Sequence, residues 1–285
     1  MSGPRILIAD GNVAQMRARQ KAAVGYDSGS GYARVLRRIL PDLACDVVYP
    51  ADSDRVVLPG TSLEDYDGVA MTGSALNVYQ GTPEVTRQVD LAKAVFAAGV
   101  PFFGSCWGMQ IAVTAAGGKV CPNPLGREFG FARRICLTRA GAEHALFAGK
   151  PAVFEALTVH RDSIEELPPG AEPLAENDMG LQAAAFISAR GTFWGLQYHP
   201  EYDYLDLAAA ADRYGATLVD EGLFRNKNAL EEFIAELKSL NTDPQDRALL
   251  WKHGLGAAMQ SERLKLAELR NWIEAQVFPR FRRTR

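Results

Sequence analysis

The first half of the chain alternates short apolar runs with segments of helical periodicity, and this alternation restricts the fold more than any other feature. Apolar residues at helical spacing and good capping residues predict helices over 31–40, 83–98 and 107–116. The apolar runs around them predict four strands: Arg5–Ala9, Cys45–Tyr49, Gly68–Met71 and Val100–Gly104. Strands that alternate with helices lie parallel, with the helices as crossovers, so this half predicts a parallel sheet.

The segment from Lys119 to Tyr198 has a different pattern, because strand-like pieces follow one another along the chain, separated by turns such as Pro168-Pro-Gly170. The pieces are Phe131–Leu137, Val153–Val159, Leu181–Ile187 and Thr192–Tyr198. Strands in close succession are typical of antiparallel pairing, so we expect an antiparallel or mixed extension of the sheet. The predicted fold class is therefore α/β, with a doubly wound mixed sheet.

The chain beyond Glu201 is predicted to be helical to its end. Apolar residues recur at helical spacing there, and Asn228 and Glu231 have the spacing of a capping box. We therefore divide the chain into a main domain, residues 1–204, and a C-terminal helical extension, residues 205–285. The extension is expected to pack on the same domain or on a partner, and its apolar faces are compatible with a homodimer.

Composition excludes several classes of function. The chain has 285 residues and a net charge of -3, so it has no basic excess for binding nucleic acid. Its one basic cluster is interpreted as a solvated terminus: Arg280, Arg282, Arg283 and Arg285. No apolar run reaches the roughly 20 residues of a membrane span, and the first residues lead straight into a strand rather than a signal peptide. The four cysteines form no CxxC pair, so we expect free thiols in the cytoplasm, with no metal site and no cofactor.

A cysteine lies between two glycines where a predicted strand meets a predicted helix. The sequence Gly104-Ser-Cys106-Trp-Gly108 has the pattern of a nucleophile elbow, in which the flanking glycines relieve a crowded backbone. The positive end of the following helix stabilises a thiolate, which is the attacking form of cysteine. A buried, unreactive cysteine is the alternative, and the pentapeptide alone does not decide between them.

A cysteine nucleophile needs a base, and His199 is the best of the four histidines. It follows a predicted strand, and Glu201 stands two positions later, on the same side of an extended segment. The carboxylate can therefore hold one tautomer of the imidazole. The alternative is that His199 is an ordinary residue in a turn at the end of a strand. The presence of a cysteine elbow elsewhere in the chain makes the catalytic interpretation the stronger one. The order cysteine, histidine, acid argues against an α/β-hydrolase, which places the acid before the histidine.

Two segments together resemble the signatures of the class I, triad-type glutamine amidotransferases: Gly104-Ser-Cys106-Trp-Gly108-Met-Gln110 and Tyr198-His199-Pro200-Glu201. The segment Met71–Tyr79 resembles the oxyanion loop of that family. Further segments resemble the glutaminase half of GMP synthetase, and His199-Pro-Glu-Tyr202 with the helix after it resembles stand-alone γ-glutamyl peptidases. The resemblance covers about residues 5 to 204.

The resemblance implies a flavodoxin-like sheet and hydrolysis of the γ-amide of glutamine or a γ-glutamyl compound through a cysteinyl thioester. In the roles that it implies, Cys106 attacks, His199 moves the proton and Glu201 orients His199. Backbone N–H groups of Ser74 and Trp107 would form the oxyanion hole. Ser74 replaces a glycine of the family, and its N–H can still donate if its backbone angles allow.

Four further residues are implied to contact the small-molecule substrate: Gly73, Gln110, His160 and Asp162. For Gln110, a helix residue that faces solvent is the alternative. No ATP-pyrophosphatase domain and no GxxxxGK[ST] phosphate loop is recognised, so no nucleotide site is predicted.

Two functions remain open at this point. The chain could be an enzyme that acts alone on glutamine or a γ-glutamyl amide. It could instead be an ammonia-supplying or regulatory subunit that is active only with a separate synthase. Residues 11–30, which are rich in glycine and serine and predict a long polar loop, and the helical extension would then be docking surfaces. A catalytically inactive binding protein is disfavoured by the intact set Cys106, His199 and Glu201.

Overall fold

The computed structural model of the chain describes residues 3–53 and 57–283. These residues form one nine-stranded sheet, in the order β2-β1-β3-β4-β11-β10-β9-β6-β7, and a two-stranded sheet of β5 and β8. The strands are β1 Arg5–Ala9, β2 Ala44–Val48, β3 Gly68–Met71, β4 Phe102–Ser105, β5 Lys119–Pro122, β6 Glu128–Leu137, β7 Val153–His160, β8 Asp162–Glu166, β9 Glu172–Asn177, β10 Gly180–Ser188 and β11 Gly191–Leu196. Strands β2, β1, β3, β4 and β11 pair in parallel, and the pairings from β11 to β7 are antiparallel. The predicted α/β fold with a mixed sheet is confirmed.

Helices cover both faces of the parallel half and make up the C-terminal part of the described chain. They are α1 Ala14–Val24, α2 Ser28–Ile39, α3 Pro83–Ala98, α4 Trp107–Ala115, α5 Arg139–Glu143, α6 Tyr204–Asp220, α7 Lys227–Thr242, α8 Arg247–Lys252, α9 Ala257–Gln260, α10 Glu262–Lys265, α11 Ala267–Trp272 and α12 Phe278–Arg283. A π-helical turn, Ile273–Val277, joins α11 to α12. In the part of the chain that the structure describes, no helix combines the length and the apolar character needed to cross a bilayer.

The two faces of the parallel half bury separate apolar clusters. Helices α3 and α4 cover one face, where Phe96, Phe102 and Phe193 pack edge to face or tilted. Helices α2 and α11 cover the other face. The carboxyl ends of β1, β3, β4 and β11 meet at one edge of the sheet, which is where open α/β sheets bind their ligands.

The predicted loop over residues 11–30 is wrong. This segment contains helix α1 and the first turn of α2, which begins at Ser28. Gln20 is the buried residue of α1, so the helix has no apolar stripe, and its periodicity could not be recognised. The predicted capping box at Asn228 is also wrong, because the N-cap of α7 lies two residues earlier, at Asn226, whose side chain accepts from the Ala229 N–H at 2.9 Å.

The C-terminal helices contribute to the same core as the sheet. The Trp272 ring is fully buried, 5.5 Å from the Phe103 ring of β4. Arg280 donates to the carbonyls of Tyr66 and Gly99, so its interpretation as part of a solvated terminus is wrong, while Arg285 lies outside the described residues. The division of the chain at residue 204 stays a prediction.

Candidate active site

Cys106 lies in the sharp turn between β4 and α4, with a φ of 51° and a ψ of -101°. A positive φ is rare for a residue with a side chain, and such strain is concentrated at functional sites. A Cβ on Gly104 would lie 2.4 Å from the Gly108 carbonyl carbon, and one on Gly108 would lie 2.5 Å from the Met71 carbonyl oxygen. Both flanking glycines are therefore required by close backbone contacts. The turn is fixed to the sheet because the Cys106 N–H donates to the Leu196 carbonyl at 2.7 Å.

His199 lies just beyond the end of β11, on the neighbouring strand of the sheet, and is buried with Glu201. Its Nδ1 is 2.7 Å from Oε1 of Glu201. A carboxylate only accepts, so Nδ1 carries a proton and Nε2 is left to face another group. The ring of Tyr202 stacks on the imidazole at a centroid distance of 4.0 Å and an interplanar angle of 16°. The orientation of the imidazole is therefore fixed by the hydrogen bond at Nδ1 and by the stacking of Tyr202 on the ring face.

The electrostatics of His199 favour a protonated ring. Burial lowers its pKa and is the largest single influence. The negative charge of Glu201 and hydrogen bonds with Cys106 and Glu201 act in the opposite direction and raise the pKa to about 10. Cys106 and His199 line the same small cavity, although they are ninety-three positions apart in the sequence, and the thiol itself donates to the Val159 carbonyl at 3.6 Å. The three residues that were predicted to act together are therefore brought together.

The predicted oxyanion loop lies directly beside this pair. A Cβ on Gly73 would be 2.6 Å from Cε1 of His199, so the loop packs on the imidazole edge. Ser74 has a negative φ, so the residue that replaces the family's glycine is unstrained. Within residues 3–53 and 57–283, neither the Ser74 nor the Trp107 N–H donates to a protein group. Both are therefore available to an oxygen atom of a ligand.

Asn12 holds the loop on both sides of Ser74. Its Nδ2 donates to the Gly73 carbonyl at 3.1 Å, and its Oδ1 accepts from the Ala75 N–H at 3.3 Å. Sequence analysis missed this residue because it fell in the supposed loop. Its position just after the carboxyl end of β1 is a signal that could have identified it.

The remaining predicted contacts occupy one cavity of about 360 Å³ beside the thiol, which we call the Gln110 cavity. Gln110 is buried rather than solvent-facing, and its Nε2 is 3.4 Å from Oε1 of Gln197. His160 also lines the cavity, but its ring is bound by Glu128 at 2.8 Å and by the Asp162 carbonyl at 3.0 Å. The Asp162 carboxylate accepts from Asn77 and Tyr79, at 2.7 and 3.3 Å.

A second cavity, of about 20 Å³, is also lined by Cys106, and we call it the Arg213 cavity. Helix α1 supplies Met16 and Gln20, α6 supplies Arg213, and the loop after β11 supplies His199 and Tyr202. Sequence analysis missed Met16, Gln20 and Arg213, because no motif marks them. Among the described residues, no group of three or more His, Cys, Asp or Glu side chains could hold a metal ion.

A strained cysteine, a histidine fixed by a carboxylate and two free backbone N–H groups can together support attack on a carbonyl carbon. The class that this fold and site fit is that of hydrolases with a cysteine nucleophile on a doubly wound sheet.

Comparisons with known proteins give the family. The model of the glutamine amidotransferase class-I family matches residues 24–205. A γ-glutamyl-L-1-hydroxyisopropylamide hydrolase from a Pseudomonas species is 33% identical over 283 residues, which cover 98% of this chain and 95% of the relative. The chain belongs to the class-I glutamine amidotransferases, and it is a hydrolase of the γ-amide of glutamine or of a γ-glutamyl compound.

More distant relatives match a smaller part of their own length. A glutamine-hydrolyzing GMP synthase from Thermomicrobium roseum is 35% identical over 185 residues, 64% of this chain but 32% of the synthase. Among solved structures, a glutamine amidotransferase from Thermotoga maritima has a TM-score of 0.64 at 18% identity, covering 96% of this chain and 99% of that chain. One from Methylobacillus flagellatus has a TM-score of 0.57 at 20% identity, covering 98% and 94%. These structures share the fold, which confirms the predicted flavodoxin-like sheet.

Proposed function

We propose that the chain hydrolyses γ-glutamyl amides with Cys106 as the nucleophile, His199 as the acid and base, and Glu201 as the residue that orients His199. The observation that carries the proposal is that the Cys106 thiol and the His199 imidazole line one cavity, while the imidazole is hydrogen-bonded to the buried Glu201 carboxylate. Each member has the chemistry that its place requires, because the thiolate attacks, the imidazole moves protons and the carboxylate fixes the tautomer.

The oxyanion hole in this proposal consists of the Ser74 and Trp107 N–H groups. Trp107 is the first residue of α4, so its N–H points out of the helix terminus. Asn12 orients the loop that carries Ser74. Donors that are already fixed need no rearrangement as charge develops on the oxygen, which is why such groups lower the barrier by about 3–4 kcal/mol.

The Gln110 cavity is the proposed site of the γ-glutamyl group. This group carries an ammonium and a carboxylate at its α carbon, so its pocket needs both signs of charge. The cavity supplies Arg127, Arg161 and the Asp162 carboxylate, with Gln110 next to the thiol. Its volume of about 360 Å³ has room for one amino acid side chain and its α carbon. His160 is assigned to the wall of this cavity, and Gly73 to the close approach of the loop.

The reaction has two halves. The thiolate of Cys106 attacks the γ-carbonyl carbon and forms the C–S bond, and the carbonyl oxygen takes the negative charge. His199 gives its proton to the amide nitrogen, the C–N bond breaks and the amine leaves. Water then loses a proton to His199 and attacks the thioester carbon. The C–S bond breaks, which releases the γ-carboxyl group of glutamate and restores the thiolate and the protonated imidazole. The new carboxyl group then ionises and gives its proton to the released amine or to water.

A stand-alone hydrolase is the version of this function that the comparisons support best. The relative named as a γ-glutamyl-amide hydrolase matches almost end to end, including residues 205–285. We propose that this helical extension is an integral support of the catalytic domain. A second version, a glutaminase that feeds a separate synthase, is favoured by the likeness to GMP synthases, of which the chain spans about a third.

The proposal is tested by trapping and by turnover. A glutamine-like electrophile, 6-diazo-5-oxo-L-norleucine, should modify one thiol, and peptide mapping should find it on Cys106. Replacing that residue, in Cys106→Ser, should abolish labelling and amine release from γ-glutamyl amides, with an unchanged unfolding curve. The matched control is Cys136→Ser, at an exposed cysteine, which should keep both. Full turnover in Cys106→Ser would refute the mechanism. Ammonia release from glutamine that appears only with an added synthase would favour the second version.

A further inference from the structure

Cys106 lines two cavities whose other lining residues differ in part. Cys106, Ser74 and Val159 line both. Gln110 lines the larger one, whereas His199 lines the Arg213 cavity and not the other. The two sides of the reacting carbon are therefore distinguished by the position of the proton donor.

If the proposed function holds, this difference shows which cavity takes the glutamyl group of a γ-glutamyl amide and which takes the amine. The amine must leave from the side where His199 can protonate its nitrogen, because proton transfer requires hydrogen-bond distance. The substituent on that nitrogen then extends into the Arg213 cavity, and the glutamyl group lies in the Gln110 cavity. The residues around the small cavity consequently contact the part of the substrate that differs between one γ-glutamyl amide and another.

Arg213 brings a guanidinium to this cavity, and two further side chains hold that guanidinium in place. Its Nη1 donates to Oε1 of Gln20 at 3.1 Å, and Nε2 of Gln20 donates to Oδ1 of Asp206 at 3.0 Å. Gln20 and Asp206 are buried, so these hydrogen bonds are held rigidly between α1 and α6.

Most of the donor capacity of this guanidinium is unused. A guanidinium has five N–H groups, and among the described residues Arg213 donates one hydrogen bond. Its Nε is buried without an acceptor, and the face of the guanidinium lies over the Tyr214 ring, 5.2 Å from the ring centroid. A half-buried cation that is held in place and has a buried donor without an acceptor is suited to an oxygen atom of a ligand.

We propose that Arg213 is a specificity-determining residue that binds an oxygen atom, hydroxyl or carboxylate, on the amine that leaves. The enzyme therefore selects γ-glutamyl conjugates of small amino alcohols or amino acids over conjugates of plain alkyl amines. The cavity is small, about 20 Å³, so it suits a short substituent whose oxygen stands within a few bonds of the amide nitrogen. Met16 limits the cavity on the side of α1.

The test uses three substrates that differ at one carbon: γ-glutamyl isopropylamide, γ-glutamyl-1-hydroxyisopropylamide and γ-glutamylalanine. For the unaltered protein, kcat/KM should be about tenfold or more higher for an oxygen-bearing substrate than for the isopropylamide, as expected for one hydrogen bond to a charged group. A preference for the alanine conjugate identifies a carboxylate as the ligand, and a preference for the hydroxyl compound identifies an alcohol. Equal values for all three would overturn the proposal.

Variants then assign the preference to the guanidinium. In Arg213→Met the ratio should fall to within about threefold of unity, whereas Arg139→Met, at a 95% exposed side chain, should leave it unchanged. Arg213→Lys should keep part of a carboxylate preference, because it retains the charge but not the planar fork. A ratio that survives in Arg213→Met contradicts the proposal.

A separate readout keeps this inference apart from the proposed mechanism. Labelling of Cys106 by 6-diazo-5-oxo-L-norleucine involves no leaving amine, so its rate reports the thiol, His199 and the Gln110 cavity. Labelling that slows in Arg213→Met as much as amide hydrolysis does would make Arg213 a support of the reacting groups and overturn its role in selection. Absence of labelling in the unaltered protein would instead refute the proposed mechanism itself.

Discussion

Nδ1 of His199 lies 2.7 Å from Oε1 of Glu201, two residues further along the chain, and both side chains are buried beside Cys106. The spacing of two matters, because it lets one extended segment supply both the base and the group that orients it. The pair also explains how a buried histidine can remain protonated. Burial disfavours the imidazolium, and the adjacent carboxylate restores it.

Removing the charge of Glu201 should move the alkaline limb of the pH profile. In the unaltered protein, kcat/KM should fall as the pH rises through about 10, because His199 then loses the proton that the leaving amine requires. In Glu201→Gln the carboxylate no longer raises the pKa of His199, whereas burial still lowers it. The alkaline limb should therefore shift to lower pH, and kcat should fall because the tautomer is no longer fixed.

The measurement is kcat/KM for one γ-glutamyl amide across pH 5 to about 10.5. A matched control is Glu143→Gln, at an exposed glutamate that pairs with Arg139 on the surface. It should leave the profile unchanged. An alkaline limb at the same pH in Glu201→Gln and the unaltered protein would show that Glu201 does not control the protonation of His199.

A methyl group on Gly73 should disable the site without unfolding the protein. In Gly73→Ala the new Cβ would lie 2.6 Å from Cε1 of His199, which is too close for either atom to stay in place. A displacement of about 1 Å at a catalytic group can lower the rate about a hundredfold, and we expect a loss of that order in kcat. The comparison is Gly215→Ala in α6, where the nearest atom is a flexible Leu230 methyl at 3.4 Å. It should retain activity and gain stability.

The side chain of Asn12 should matter for kcat more than for substrate binding. Asn12→Ala removes the hydrogen bonds to the Gly73 carbonyl and from the Ala75 N–H, so the Ser74 N–H loses its fixed direction. We expect kcat to fall about tenfold to a hundredfold while KM changes little, since the oxyanion exists only in the transition state.

Steady-state kinetics of Asn12→Ala and Asn271→Ala provide the comparison. Asn271 also donates twice to backbone carbonyls, those of Leu146 and Ala148, and its contacts lie outside both cavities. Its replacement should cost stability and leave kcat unchanged. A rise in KM alone for Asn12→Ala would mean that Asn12 acts on binding and not on the oxyanion.

The sequence predicts those parts of the site that local physics dictates. The elbow was recognisable because Gly104 and Gly108 are required by backbone contacts, and such requirements restrict the residue type at a fixed spacing. The pair His199 and Glu201 was recognisable because the period of an extended segment is two. The apolar strands β1, β3 and β4 were recognisable because they are buried on both faces.

The missed parts depend on tertiary contacts that leave no local pattern. Helix α1 buries Gln20 and carries no apolar stripe, so it looked like a loop. Arg213 lies on α6, and its neighbour Gln20 is 193 positions away, a relation that no periodicity reveals. Strands such as β5 are short and half exposed, so their composition resembles that of turns.

The last prediction concerns a buried ion pair that joins the helical extension to the loop before β7. Nζ of Lys150 is 2.8 Å from Oε1 of Glu268 in α11, and both side chains are at most 1% exposed. The same oxygen accepts from the hydroxyl of Tyr198, the residue directly before His199, at 2.5 Å.

Removing one partner leaves the other charge buried and unpaired, so Lys150→Met should cost about 3–5 kcal/mol in the free energy of unfolding. The double variant Lys150→Met, Glu268→Gln should recover part of this, because no uncompensated charge remains. Denaturant unfolding with a constant m-value measures both, and Lys227→Met, in an exposed pair with Glu231, is the control that should not change the midpoint. A double variant less stable than Lys150→Met would show that Glu268 stabilises the extension by its hydrogen bond to Tyr198 more than its unpaired charge destabilises it.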